Sequence, residues 1–133
     1  MKLSSKVNCK LTDFGSSRNM NLLMTNMTFT KGVGTPKYMA PEVLRKEHYK
    51  RQADIYAFAI TMYETFTWTE AYPKKDFKFP WKIAEFVTDG KRLPLNDIDE
   101  QLARVIESTW KDDPKERMSI SDIIVLLDTE LLK

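Results

Sequence analysis

The chain has 133 residues, of which 42% are hydrophobic and 30% charged, and its formal net charge at pH 7 is +2. This length and composition predict one globular domain and exclude a low-complexity or strongly charged disordered chain. Because acidic and basic residues are interspersed, the charge pattern argues against nucleic-acid and membrane binding. The nearest approach to a basic patch, Lys74, Lys75, Lys78 and Lys82, is interpreted as a solvated surface.

Cysteine content and hydropathy give information on the cellular compartment of the protein. Cys9 is the single cysteine, which excludes an intramolecular disulfide and a cysteine-based zinc site. Residues 1–10 are polar and lack the apolar core of a signal peptide. The longest aliphatic run, residues 123–127, is far too short to cross a bilayer. A cytoplasmic location is therefore expected.

The first predicted element is a short strand over residues 6–13, where three apolar residues alternate loosely with polar ones before Gly15. Residues 16–37 follow without a sustained period and predict a long loop. Loops of this length in compact domains are usually functional or disordered.

Five helices are predicted after the loop. Pro41 and Glu42 suit the first turn of a short helix over residues 41–45. In residues 55–66, nine of twelve positions are apolar, which predicts a helix buried on all sides. Residues 81–89 form an amphipathic pattern that stops at Gly90.

Two later helices have N-terminal signals. Asp97 with Glu100, and Ser119 with Asp122, show the spacing of a capping box before amphipathic runs. The predicted fold class is therefore mostly α: one strand, one long loop and about five helices.

Motifs in four places, in a fixed order, carry a family resemblance. Asp13-Phe14-Gly15 directly follows the predicted strand, although three residues alone are not specific. Residues 34–44, 54–59 and 110–117 supply longer matches downstream. Together the motifs resemble the C-terminal part of a eukaryotic-type protein kinase domain, in the tyrosine-kinase-like serine/threonine group. The resemblance implies a partial kinase large lobe.

The resemblance also implies three segments and a cofactor site. Residues 1–15 would form the strand and the Asp-Phe-Gly motif, residues 16–42 the activation segment, and residues 43–133 a helical subdomain. In the family the aspartate at Asp13 binds the magnesium that bridges the ATP phosphates. Phe14 would pack under the small lobe, and Gly15 would give the backbone freedom to swing. The alternative for Asp13 is a plain turn residue.

Further roles follow from the resemblance in the activation segment. Thr30 is the preferred phosphorylation site among the loop threonines. Thr35 would help to position substrate, with turn chemistry beside Gly34 as the alternative, and Tyr38 lies in the same segment.

Structural roles are implied for four residues. Glu42 and Arg117 match positions that pair as a buried ion bridge. Asp54 would be a buried carboxylate that accepts hydrogen bonds from a catalytic loop, and Trp110 opens the last motif.

Several catalytic elements of the family do not occur in these 133 residues. There is no Gly-x-Gly-x-x-Gly sequence, and His48, the one histidine, is followed by Tyr49 and Lys50 rather than Arg-Asp. We therefore expect a family activity of ATP-dependent phosphoryl transfer to protein serine and threonine hydroxyls, with this chain inactive and without tight ATP binding when isolated.

The expected partners are a protein substrate or partner protein, with self-association through an incompletely covered core. Two alternatives stay open. One is a non-catalytic interaction module in signalling, and the other is a helical domain unrelated to kinases.

Overall fold

The computed structural model describes residues 8–17 and 36–131. Five α-helices make up about half of this part and all of its long regular elements: α1 (Pro41–Leu44), α2 (Gln52–Thr67), α3 (Pro80–Thr88), α4 (Glu100–Thr109) and α5 (Ile120–Leu131). Single 3-10 turns lie at Phe14–Ser16, Pro36–Tyr38 and Pro114–Glu116. The mostly α prediction is confirmed.

The predicted strand over residues 6–13 is not confirmed. Residues 8–13, the portion of it that the structure describes, have no regular structure and are exposed. A strand needs a hydrogen-bonded neighbour to be stable. Residues 8–17 and 36–131 contain no strand that could serve as that neighbour.

The central helix is α2, which packs against α4, while α4 packs against α5 and α1 packs against α3. The core consists of apolar side chains from all four longer helices and their connections. Its largest fully buried members are Tyr56, Ile60, Ile106, Ile123 and Val87. Burial of these side chains stabilises the fold by roughly 1.5–3 kcal/mol each before entropy is counted. The core therefore runs along the inner side of α2.

The prediction that α2 is buried on all sides is wrong. Asp54, Thr61 and Thr65 form an exposed strip along it. Thr61 and Thr65 donate their hydroxyl hydrogens to the carbonyls of Ala57 and Thr61, at 3.1 and 2.8 Å. Because these hydrogen bonds lie within the helix, the two hydroxyls are satisfied without any hydrogen-bond partner from a neighbouring element.

The helices end and begin at glycine and capping residues, and one capping residue differs from the prediction. α3 ends before Gly90, which has a φ of 80° that favours glycine. α4 is capped by Asp99 and not by Asp97, because the Asp99 carboxylate accepts from the amides of Gln101 and Leu102. At the start of α5, the Ser119 hydroxyl accepts from the Asp122 amide at 3.2 Å, as its spacing predicts.

Several apolar side chains of α5 face solvent among polar ones. Ile120, Ile124 and Val125 are exposed there, Val125 by 63%. None of the helices in the described part of the chain is long and apolar enough to cross a membrane.

Candidate functional site

A buried ion pair joins α1 to the segment before α5. The two terminal guanidinium nitrogens of Arg117, Nη1 and Nη2, donate to the Glu42 carboxylate at 2.8 and 2.7 Å. The side chains of Arg117 and Glu42 are 0% and 4% exposed. This two-point geometry is the strongest that an arginine and a carboxylate can adopt. The predicted pairing of Glu42 with Arg117, 75 residues apart, is therefore present.

The remaining donors of Arg117 are also satisfied. They reach the backbone carbonyls of Lys111, Gln52 and Asp112 at 2.8, 2.8 and 3.2 Å. The guanidinium also lies over the ring of Tyr56, 5.3 Å from its centre. A buried charge is tolerated only when it is paired and hydrogen-bonded in this way. Arg117 thus connects α1, the start of α2 and the loop after α4.

A second ionic cluster lies beside this pair and was not predicted. Arg45, at the end of α1, donates to both carboxylate oxygens of Asp112 at 3.0 and 3.1 Å and to the Thr88 carbonyl at 2.8 Å. Arg92 lies 3.5 Å from the same carboxylate. The hydrogen bonds from Arg45 hold the pKa of Asp112 below its usual range, against a partial loss of solvation. No local sequence pattern connects Arg45 to Asp112, which is 67 residues away.

A third cluster lies at the turn before α1. The Lys37 ammonium donates to Glu70 at 2.9 Å and to Glu64 at 3.3 Å. The Tyr38 hydroxyl donates to the other Glu64 oxygen at 2.9 Å. Partial burial lowers the pKa of Lys37, but the two carboxylates outweigh it and the net shift is upward. Lys37 and Tyr38 thereby fasten this turn to the end of α2.

The Asp13-Phe14-Gly15 motif has different surroundings. Phe14 is 65% exposed, and residues 8–15 are exposed without exception. The residue with left-handed backbone is Asp13, at φ 60° and ψ 65°, and not Gly15. A Cβ on Gly15 would meet the Asp13 carboxylate at 3.7 Å, an ordinary contact. In this conformation the motif needs no glycine at position 15.

The motif contains one carboxylate, Asp13, that would be available to a metal ion. Magnesium in phosphoryl-transfer sites is bound by one or two carboxylates together with phosphates and water. Asp13 offers one such carboxylate, and residues 8–17 and 36–131 contain no group of three side chains that could hold an ion. The described residues fit a magnesium site only as one contributor to it.

The other predicted residues fall into three groups. Thr30 and Thr35 lie outside the described residues. Trp110 is 3% exposed and packs against Tyr63, with ring centres 6.1 Å apart. Asp54 is exposed in this structure, whereas the resemblance implies burial by a catalytic loop that does not occur in these 133 residues. At the start of α2 it lies on the strip that faces solvent.

Comparison with known proteins identifies the family to which these residues belong. The family model for the protein kinase domain matches residues 2–126. The RGS domain-containing serine/threonine-protein kinase A of Dictyostelium discoideum is 31% identical over 128 residues, which is 96% of this chain and 11% of that protein. A probable LIM domain-containing serine/threonine-protein kinase of the same organism is 33% identical over 115 residues, covering 86% of this chain and 17% of that protein.

A third relative, the probable serine/threonine-protein kinase drkC of Dictyostelium discoideum, is 31% identical over 121 residues, or 90% of this chain and 16% of the relative. The chain thus spans less than a fifth of the length of these curated relatives. The match over residues 2–126 shows that the chain belongs to the protein kinase domain family. Within that family, its described helices are part of the large lobe.

Proposed function

We propose that this chain forms the substrate-facing, C-terminal part of a serine/threonine kinase domain. The observation that carries the proposal is the fully hydrogen-bonded Glu42–Arg117 pair, because it fastens the segment that ends at α1 to the helices behind it. Phosphoryl transfer depends chiefly on positioning and electrostatic stabilisation. A rigid frame beside the activation segment serves the positioning of a protein substrate.

In this proposal Asp13 is the ligand that the chain contributes to a magnesium–ATP site. When bound, the metal would neutralise charge on the transferred phosphoryl group. The isolated 133-residue polypeptide would not transfer phosphate, since a glycine-rich loop and a catalytic base have to come from other residues. Serine and threonine hydroxyls of proteins are the proposed acceptors, as the names of the relatives indicate for those proteins.

The test joins this chain to the missing elements. The upstream part of a relative's kinase domain, with its glycine-rich loop and catalytic loop, is fused before residue 1. Phosphate incorporation from radiolabelled Mg-ATP into a serine- and threonine-containing protein is then measured. We expect the fusion protein to be active, its Asp13→Asn variant to lose at least about a hundredfold in rate, and the 133-residue chain to show no incorporation.

A matched control is Asp128→Asn, which changes an exposed aspartate on α5, outside the motif. It should keep the rate of the parent fusion protein. A folded fusion protein without activity, or equal activity in the Asp13→Asn variant, would contradict the proposal. Incorporation by the isolated chain, abolished by Asp13→Asn, would contradict its inactivity.

A further inference from the structure

One short segment of the surface combines strong positive charge with exposed aromatic rings. Residues 74–82, called here the 74–82 patch, contain four lysines and one aspartate, a net charge of +3 in a chain whose total is +2. Every residue of the patch except Phe77 is exposed. From the sequence alone these lysines are interpreted as a solvated surface, and the sequence does not show which of the aromatic residues among them are exposed.

The aromatic residues of the patch divide between the core and the surface. Phe77 turns inward and packs edge-on against Tyr72 and Phe86, with ring centres 5.2 and 5.1 Å away. Phe79 and Trp81 turn outward and are 41% and 56% exposed. The half-buried Phe77 packs against the core and so anchors the segment that carries the two outward rings.

The two outward rings form one flat surface. Phe79 and Trp81 stack with their centres 4.3 Å apart and their planes 4° from parallel. The Lys78 ammonium lies 5.6 Å from the centre of the Phe79 ring. Tryptophan is among the residue types enriched at the positions that dominate protein–protein contacts.

The positive charge of the patch is only partly neutralised. Lys82 pairs with Glu85 at 2.9 Å. Lys74, Lys75 and Lys78 form no ion pair with any described residue. An acidic segment placed here would gain attraction without breaking an existing pair.

That acidic segment cannot come from the undescribed parts of this chain. Residues 1–7, 18–35 and 132–133 contain no aspartate or glutamate, although they contain Arg18 and four lysines. These segments would add positive charge to the patch rather than neutralise it. The complementary charge is therefore not supplied by residues 1–7, 18–35 or 132–133.

We propose that the 74–82 patch is a docking site for an acidic segment of a partner protein that places an apolar or aromatic side chain against Trp81. Nucleic acid is less favoured, because acidic and basic residues are interspersed along the chain and its net charge is only +2. A membrane surface is also less favoured, since two exposed rings offer little apolar area to insert. The inference does not depend on phosphoryl transfer.

The experiment uses the 133-residue chain carrying Trp68→Phe, which removes a tryptophan that is 93% exposed outside the patch. Trp110 is buried, so a change in fluorescence then reports on Trp81. The probe is a glutamate–tyrosine copolymer, with a lysine–tyrosine copolymer as the charge control. We expect saturable binding of the acidic copolymer that weakens with added salt, and none of the basic one.

Variants locate the binding site. Lys75→Glu with Lys78→Glu should weaken binding roughly tenfold, since each exposed charge contributes modestly. Trp81→Ala should weaken it roughly thirtyfold, as expected for a central aromatic contact, and is followed by the anisotropy of a labelled copolymer. The matched control, Lys50→Glu with Lys115→Glu, reverses two exposed lysines outside the patch and should stay within about twofold. Circular dichroism confirms that each variant is folded like the parent.

Four results would overturn the proposal. If the control pair weakened copolymer binding as much as Lys75→Glu with Lys78→Glu, the attraction would come from the overall charge and not from the patch. If Trp81→Ala left copolymer binding unchanged, Trp81 would not contact the ligand. Tighter binding of single-stranded oligothymidine, or of phosphatidylserine vesicles, would assign the patch to one of those ligands instead. A concentration-dependent dimer that Trp81→Ala abolishes would make a second copy of this chain the occupant.

Discussion

Two kinase motifs of this chain, Asp13-Phe14-Gly15 and the pair Glu42 with Arg117, have opposite surroundings. Arg117 makes five hydrogen bonds and its side chain is 0% exposed. Phe14, by contrast, is 65% exposed, and Asp13 lies among residues that are exposed without exception. The difference shows that a motif is buried and hydrogen-bonded only where other residues of the same chain pack against it. We expect stability to depend on the first motif and not on the second.

The largest predicted effect comes from breaking the buried pair. Glu42→Ala leaves the Arg117 charge buried without its carboxylate, and we expect the free energy of unfolding to fall by about 3–5 kcal/mol. Urea unfolding followed by circular dichroism measures it. Glu47→Ala, at an exposed position five residues away, is the control and should change the value by less than about 0.5 kcal/mol.

A double variant sharpens the same comparison. Glu42→Met with Arg117→Met removes both charges and should recover much of the loss, because neither charge then remains unpaired. A double variant as unstable as Glu42→Ala would show that the carbonyl contacts of Arg117 matter more than its pairing.

A smaller, pH-dependent effect is predicted for Asp112, which hydrogen-bonds to Arg45. Its pKa is lowered in the folded state, so its contribution is present above the ordinary aspartate value of about 4. The contribution is lost as the pH falls through the lower folded value. Asp112→Asn should therefore destabilise the chain near neutral pH by less than about 1 kcal/mol, as Asp112 is 47% exposed.

The measurement is urea unfolding at several pH values from about 6 down to about 3. The gap between Asp112→Asn and the parent should narrow toward the acid end. Asp128→Asn, an exposed aspartate on α5, serves as the control and should show no such trend. A gap that is constant across the series would indicate lost packing instead of lost charge.

The smallest effect is predicted at the exposed motif. Phe14→Ala should change the free energy of unfolding by less than about 0.5 kcal/mol, since a ring that is 65% exposed has little packing to lose. The measurement is the same urea titration. A loss above about 1 kcal/mol would mean that the motif packs against the lobe in solution, and the contrast between the two regions would disappear.

Sequence reasoning predicted the helices well because each has an apolar side or a capping signal. The N-terminal strand could not be judged from residues 6–13 alone, since its stability depends on a neighbouring strand. Thr61 and Thr65 were misjudged because apolar neighbours suggested full burial, whereas threonine satisfies its hydroxyl on its own helix.

The candidate site divides in a similar way. Glu42 with Arg117 could be predicted because a family pattern links the two positions. Arg45 with Asp112 could not, because only the folded arrangement of α1 and the loop after α4 brings them together. The stacking of Phe79 on Trp81 likewise depends on Phe77 pointing inward. The order of polar and apolar residues in a loop does not predict which aromatic ring points inward.

The long sequence separation of Glu42 and Arg117 also orders events during protein synthesis. Glu42 is made 75 residues before its partner. At a translation rate of roughly 5–20 residues per second, that interval lasts about 4–15 seconds. During this time the Glu42 carboxylate lacks its native partner, the Arg117 guanidinium. The contact that fixes α1 is therefore completed late, after α4 has been synthesised.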